Sequence, residues 1–214
     1  MMIEHILYSF VALFVIIDPI GSAAIFAALM RGAPEEFRRR MAWRGTLIAG
    51  ALILAFAFIG ERLLHALGIT LPAFRIGGGI LLFLLAVDMV FARASGIRNP
   101  TALEQEEAEH RADIAVFPLA FPLLAGPGAL TSIVLLMGRA ASALDAAGVI
   151  AALVAVMALT LLLLLAAPRV VRLLGVTGTN VVSRVLGIIL AALAAQLVLD
   201  GIAEGILSLR RPTG

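Results

Sequence analysis

A carboxylate followed by proline lies near the middle of the first long apolar run, in the sequence Asp-Pro-Ile-Gly-Ser at residues 18–22. Pro19 lacks an N–H and its ring clashes with the preceding turn, which predicts a helix that breaks between about Ile16 and Ser22. Asp18 lies about 18 Å into the run at 1.5 Å per residue, where a charge normally faces a cavity or a partner. Two interpretations stay open: Asp18 contacts a ligand or proton, or it only caps the second half-helix.

A second group of prolines lies in the fourth apolar run, where Pro122 is followed by Gly126, Pro127 and Gly128. Each proline removes a helical hydrogen bond, which predicts a break between about Pro122 and Ala129. Irregular backbone at membrane depth survives only where protein or water surrounds it. The motif therefore indicates a binding site, and a proline-kinked packing helix is the alternative.

The two predicted breaks together suggest a receptor for a small zwitterion. A half-helix that starts near Gly21 or Gly128 directs N–H groups and a positive dipole end at the cavity, which suits a carboxylate. Asp18 and freed carbonyl groups would receive an ammonium, and the small lining residues leave room only for a small side chain.

Gln196, in the sixth apolar run, is either an interhelical hydrogen-bond donor or a further ligand. The candidate substrate-binding residues are Asp18, Pro19, Gly21, Ser22, Gly126, Pro127, Gly128, Thr131, Ser132 and Gln196. No catalytic residue, metal ligand or cofactor is predicted, and a proton or sodium ion stays open as the coupling ion.

The apolar runs that carry these motifs are typical of a membrane protein. The 214 residues are 62% hydrophobic and 14% charged, whereas soluble domains contain about 45–50% apolar residues. A spanning helix needs about 20 apolar residues, and we read six spans at roughly 6–29, 45–60, 75–91, 114–137, 146–167 and 185–207. The predicted fold class is an all-α polytopic membrane protein with six transmembrane helices, of which helices 1 and 4 are broken.

A polar stretch divides the predicted spans into two groups of three. Residues 1–92 form the first three-helix repeat, 93–113 a polar cytoplasmic linker, and 114–214 the second repeat. Because three is odd, two related halves would have opposite orientations, as in transporters whose interrupted helices lie at corresponding positions. Pro19 and Pro127 are at such positions. The linker is a solvated connector or, alternatively, a regulatory or partner-binding segment.

The arginines predict the orientation of the chain. All 16 basic residues are Arg, and eleven of them follow the first, third and fifth spans, so that side is predicted to be cytoplasmic. We therefore expect a multi-pass protein of a bacterial inner membrane with both termini in the periplasm.

Two arginines lie where predicted spans begin. Arg75 and Arg184 begin the last span of each half and are interpreted as snorkelling anchors. The net charge of +2 does not indicate nucleic acid; the expected partners are the lipid bilayer and a small-molecule substrate, and a homo-oligomer stays open.

With these residues considered, the chain resembles the MarC family of six-span membrane proteins. The resemblance rests on Asp-Pro-Ile-Gly at 18–21, on Phe-Pro-Leu-Ala-Phe-Pro-Leu-Leu-Ala-Gly-Pro-Gly-Ala at 117–129, on the stretch 75–79, and on the stretch 184–201 that contains Gln196. It covers essentially the whole chain. The resemblance implies an inner-membrane permease, grouped with small neutral amino acid transporters and more distantly with LysE-type exporters.

The favoured function is therefore a non-enzymatic membrane transporter of small neutral amino acids or similar small zwitterions, a permease or an exporter, working by alternating access around the two broken helices. An intramembrane aspartyl protease that uses Asp18 and Asp88 is a second class. It is disfavoured because Asp88 lies near a span end and Leu85, Ala86 and Val87 precede it instead of Gly-x-Gly. A third class is a non-transporting membrane subunit that stabilises or regulates a partner.

Overall fold

The computed structural model describes residues 2–91 and 114–210, which contain helices and no β-strand. The predicted linker at 93–113 lies outside the described residues. The helices are α1 (Met2–Ile17), α2 (Pro19–Leu29), α3 (Glu35–Ala66), α4 (Leu71–Phe91), α5 (Pro127–Gly138), α6 (Ala143–Leu165) and α7 (Ala167–Arg210). An irregular helix at Ala115–Leu124, here called the proline segment, precedes α5.

The described helices include five candidate membrane spans, or six if one bent pair of helices counts as a single span. Four of them are α3, α4, α6 and the part of α7 at Thr177–Leu207, and the fifth is the broken span of α1 and α2, Glu4–Leu29. The proline segment and α5 form a pair bent by 56° that together makes the sixth. The all-helical fold is confirmed. Both predicted breaks are present, because α1 ends at Ile17 and the proline segment ends at Leu124.

Helix α3 is longer than its apolar sequence predicts. Its 32 residues measure about 48 Å at 1.5 Å per residue, against a hydrocarbon thickness of about 30 Å. The extra turns are polar and include Arg38, Arg39 and Arg40, which precede the predicted span at about 45–60. They are helical because Glu35 and Glu36 lie in the first turn, where acidic side chains interact favourably with the helix dipole.

Helix α7 is interrupted at Gly175, which has φ 66° and ψ 176°. Glycine adopts a positive φ without the steric cost that a Cβ brings. The interruption separates a short first arm from the spanning part of α7, and Leu173 in that arm is 84% exposed. The arm therefore follows a different direction from the span that it precedes.

Helices α4 and α7 share the most extensive contact in the described bundle. Small residues permit it: a Cβ on Gly79 would lie 2.7 Å from Val198 Cγ2, and one on Gly187 would lie 2.8 Å from Met89 Cβ. Close backbone approach at small residues is a usual basis of helix association in membranes. The two glycines are 108 residues apart, one in each half of the chain.

Each pair of helices that packs together has a counterpart pair, in which every helix is replaced by the corresponding helix of the other half of the chain. The broken span of α1 and α2 packs on α6, as the span of the proline segment and α5 packs on α3. Likewise α2 packs on α7 as α5 packs on α4. These matched pairs favour the inverted repeat, which stays a prediction.

Candidate functional site

The first break is centred on Asp18, which joins α1 to α2. Its backbone has φ 43° and ψ 73°, and Pro19 occupies the first turn of α2. The Asp18 Oδ1 atom accepts a hydrogen bond from the Gly21 N–H at 2.9 Å. In an uninterrupted helix this N–H would donate to the carbonyl of Ile17. Here the Ser22 hydroxyl donates to that carbonyl instead, at 2.9 Å. The capping role of Asp18 is therefore present in the structure.

A side chain from α7 completes the surroundings of Asp18. The Ser183 hydroxyl donates to Asp18 Oδ2 at 3.0 Å, and Asp18 is 0% exposed. Gly21 leaves the space for this contact, since a Cβ there would lie 2.2 Å from Asp18 Oδ2 and 2.7 Å from Ser183 Oγ. The sequence did not predict Ser183, because a serine near the start of a span has many interpretations and nothing local relates it to residue 18.

The second break is built by the prolines and by Gly126. Phe117 and Phe121 are extended, with φ −131° each, as residues before proline commonly are. Gly126 is also extended, and a Cβ on it would lie 2.5 Å from the carbonyl oxygen of Pro122. Helix α5 then begins at Pro127, whose fixed φ and missing N–H suit the first helical position.

The two half-helices differ in how they begin. Asp18 caps α2 with its carboxylate, whereas Gly126 offers α5 no side chain and α5 has no side-chain cap in the described structure. The N–H groups in the first turn of a helix have no intrahelical partner. Those of Gly128 and Ala129 are therefore the groups from which we expect an anion at the second break to accept hydrogen bonds.

The breaks are neighbours. A cavity of about 20 Å³ is lined by Ile16, just before the first break, and by Pro122, Gly126 and Gly128 of the second. Ile16 also lines a second cavity of about 30 Å³. Each volume is enough for a water molecule and too small for an amino acid. Neither of these two cavities therefore has room for an amino acid in this structure.

Thr131 and Ser132 follow the second break on α5, and both are 5% exposed. Thr131 packs on α4, since its Cγ2 lies where a Cβ on Gly78 would be. The Ser132 hydroxyl is buried without a hydrogen-bond partner in the described structure, and it lines the 30 Å³ cavity with Tyr8 and Arg139. A buried hydroxyl without a partner is costly unless water or a ligand satisfies it.

Gln196 lies apart from the breaks. It is exposed, and its Nε2 donates to Asp200 Oδ1 at 2.7 Å. The other oxygen of Asp200 accepts from Arg139 Nη2, also at 2.7 Å. Seven of the ten candidate residues thus lie at the two breaks, Thr131 and Ser132 follow the second break on α5, and Gln196 is connected through Asp200 to Arg139.

Arg75 does not snorkel as predicted. Its side chain is 4% exposed and forms an ion pair with Glu204 of α7. The pair was missed because Arg75 was interpreted as an interfacial anchor when its span was considered alone. It links the beginning of α4 to the end of α7.

A polytopic α-helical membrane protein with two adjacent broken spans is the class that this fold and site define. The chain matches the model described as MarC family integral membrane protein over residues 3–206. It belongs to the MarC family, and the resemblance inferred from its motifs is confirmed.

Several relatives are similar over nearly their whole length. A UPF0056 membrane protein of Methanocaldococcus jannaschii is 37% identical, with 96% of this chain and 99% of the relative covered. The UPF0056 inner membrane protein YhgN of Escherichia coli is 35% identical, with 93% and 96% covered. The UPF0056 membrane protein YvbG of Bacillus subtilis is 31% identical, with 94% and 96% covered. No solved structure matches the chain.

Proposed function

We propose that this protein transports small neutral amino acids or similar small zwitterions across a bacterial inner membrane, by alternating access around its two broken spans. The observation that supports the proposal most is the contact between the breaks, where Ile16 and residues 126–129 line one cavity. Interrupted helices that meet at membrane depth are the usual form of a transporter site.

The two breaks divide the recognition of a zwitterion between them. The uncapped start of α5 suits the substrate carboxylate, because its N–H groups and helix dipole both favour an anion. The start of α2 is less suited to it, since the Asp18 carboxylate already occupies that end. Asp18 is instead the group that suits the ammonium, and Ser132 offers a further hydroxyl in the 30 Å³ cavity that Ile16 also lines.

The lining favours a small cargo. Glycine and proline surround the second break, and Gly128 is already tight, since a Cβ on it would lie 2.9 Å from Leu82 Cδ2. A cargo with a large side chain would require the bundle to separate much further than a small one. Glycine-, alanine- or serine-sized zwitterions are therefore the proposed class.

Flux into liposomes tests the proposal. The purified chain is reconstituted and given a panel of labelled amino acids under an imposed proton or sodium gradient. We expect uptake of small neutral amino acids that Asp18→Asn abolishes and that one of the two gradients drives. Uptake equal to that of empty liposomes for the whole panel would reject the proposal.

A second variant separates transport from proteolysis. An aspartyl protease needs both Asp18 and Asp88, whereas transport as proposed here needs only Asp18. Asp88→Asn should therefore retain flux, and both variants are checked for an unchanged unfolding midpoint. Cleavage of a membrane peptide that either variant abolishes would favour the protease instead. A well-folded protein with neither flux nor cleavage would favour the non-transporting subunit.

A further inference from the structure

A large cleft lies at the arginine-rich end of the bundle, and its lining begins at Ala24, about 9 Å along α2 from Asp18 at 1.5 Å per residue. It has a volume of about 600 Å³ and lies between α2, the turn after it, and the beginning of α7. Ligand pockets commonly measure about 300–1,000 Å³, so the cleft has the size of a binding site. None of the candidate substrate-binding residues lines it.

The polar part of the cleft is cationic. Arg31 and Arg38 line it together with Thr179 and Asn180, and none of its described lining side chains is acidic. The Arg38 Nη1 atom donates to the carbonyl of Ala33 at 3.1 Å, which fixes the guanidinium in place. A guanidinium has five N–H donors, so Arg38 retains donors for a ligand.

The remaining wall of the cleft is apolar. It is formed by α2, including Phe26, and by Ala167, Pro168 and Val171 of the first arm of α7. A cationic rim beside an apolar wall matches a molecule with an anionic head and a hydrocarbon chain. Basic pockets between transmembrane helices on the cytoplasmic side are known to suit phospholipid head groups.

We infer that this cleft binds the phosphate group of an anionic phospholipid through Arg31 and Arg38, with the acyl chain along α2. The arginine-rich end is the predicted cytoplasmic side, where the leaflet is rich in anionic lipid. A free phosphate ion shares the same recognition chemistry, but it would leave the apolar wall unused. The inference is independent of whether the protein transports a solute.

The experiment measures the unfolding midpoint of the full chain in detergent with three probes. These are short-chain phosphatidylglycerol, phosphatidylcholine of the same chain length, and inorganic phosphate. At saturation we expect phosphatidylglycerol to raise the midpoint by roughly 5–10 °C and phosphatidylcholine to leave it unchanged. Arg31→Gln and Arg38→Gln should each remove most of that rise.

Arg62→Gln is the matched control. Arg62 is exposed near the other end of α3, about 36 Å from Arg38 at 1.5 Å per residue, so the rise should persist in this variant. If Arg38→Gln does not fold, Arg31→Gln decides alone, because Arg31 is an exposed residue of a turn.

The comparison with inorganic phosphate separates the two sources of the phosphate group. If inorganic phosphate raises the unfolding midpoint as much as phosphatidylglycerol does, and the arginine variants remove that rise, the cleft is a phosphate site whose ligand is soluble phosphate. Equal effects of the two lipids, a rise that persists in Arg31→Gln, or no rise with any probe would overturn the inference.

Discussion

Asp18 is suited to its position even without a ligand. Its φ of 43° is a left-handed value that aspartate and asparagine adopt more readily than most other residues. Its carboxylate also replaces the backbone hydrogen bond that Pro19 interrupts. The observed capping and the proposed cargo binding are therefore separate roles, and a substitution that retains one and removes the other distinguishes them.

Asp18→Asn is expected to fold normally and to lose flux. Asparagine caps helices as well as aspartate does, tolerates the same φ, and can present its amide NH₂ to the Ser183 oxygen. The comparison variant Asp18→Ala loses the cap and places an alanine at a positive φ, which should lower the free energy of unfolding by about 2 kcal/mol. Thermal unfolding in detergent measures the stability, and liposome uptake measures the flux. Normal uptake by well-folded Asp18→Asn would leave the residue with capping alone.

Gly21→Ala is expected to destabilise the first break. The new Cβ would overlap Asp18 Oδ2 and Ser183 Oγ, and overpacking of this kind costs about 1–3 kcal/mol. Gly77→Ala is the matched control, because Gly77 is exposed and a Cβ there meets nothing within 4 Å. Alanine should raise stability there by up to about 1 kcal/mol. Equal midpoints for the two alanine variants would contradict the described packing around Gly21.

The sequence predicted the residues of each break better than their partners. Asp18, Ser22 and Gly126 were identified because proline changes the local backbone in a known way. Ser183 was not, because its contact with Asp18 spans 165 residues and depends on how α7 is rotated within the bundle. Rotation of a spanning helix is determined by packing, and a nearly uniform apolar sequence carries little information about it.

At the scale of the helices, the breaks were predictable and the lengths were less so. The apolar part of α3 predicted a span at about 45–60, yet the helix extends over Glu35–Ala66. Hydropathy detects where a helix is in lipid, not where it ends in water. The Arg75–Glu204 pair was missed for a related reason, since ion pairs between spans depend on which helices are neighbours.

The contact of α4 with α5 provides a test at this scale. A Cβ on Gly78 would lie 1.9 Å from Thr131 Cγ2, so Gly78→Ala should push the helices apart and cost about 1–3 kcal/mol. Thr131→Ser removes that methyl group. In the double variant the cost of Gly78→Ala should fall, with a coupling of about 1 kcal/mol between the two positions.

The measurement is a double-mutant cycle of unfolding midpoints in detergent, converted to free energies with one common unfolding entropy. The Gly77→Ala and Thr131→Ser combination is the control, because Gly77 faces away from α5 and should show additive effects. Coupling of the same size in the control would mean that α4 does not approach α5 through Gly78.

At the scale of the molecule, the composition predicted six spans, and the described helices give five candidates, or six when the bent pair counts as one span. The orientation remains a prediction from the arginines. A C-terminal alkaline phosphatase fusion should be active and a C-terminal green fluorescent protein fusion dark, because the terminus is predicted to lie in the periplasm. Fusions truncated in the turn at residues 30–32 should give the opposite pattern. A C-terminus that is fluorescent and lacks phosphatase activity would reverse the orientation, and the predicted sidedness of the arginine-lined cleft with it.

Full burial of Asp18 has a thermodynamic consequence for affinity. A carboxylate that is 0% exposed can meet a cargo only in the fraction of molecules that have opened, and the apparent dissociation constant equals the intrinsic one divided by that fraction. If about one molecule in a hundred is open, the measured affinity is about a hundredfold weaker than the contacts alone would provide. Ser183 helps to keep the carboxylate covered, so removing its hydroxyl would increase the open fraction. If Asp18 binds the proposed cargo, a variant that makes fewer contacts would then bind that cargo more tightly.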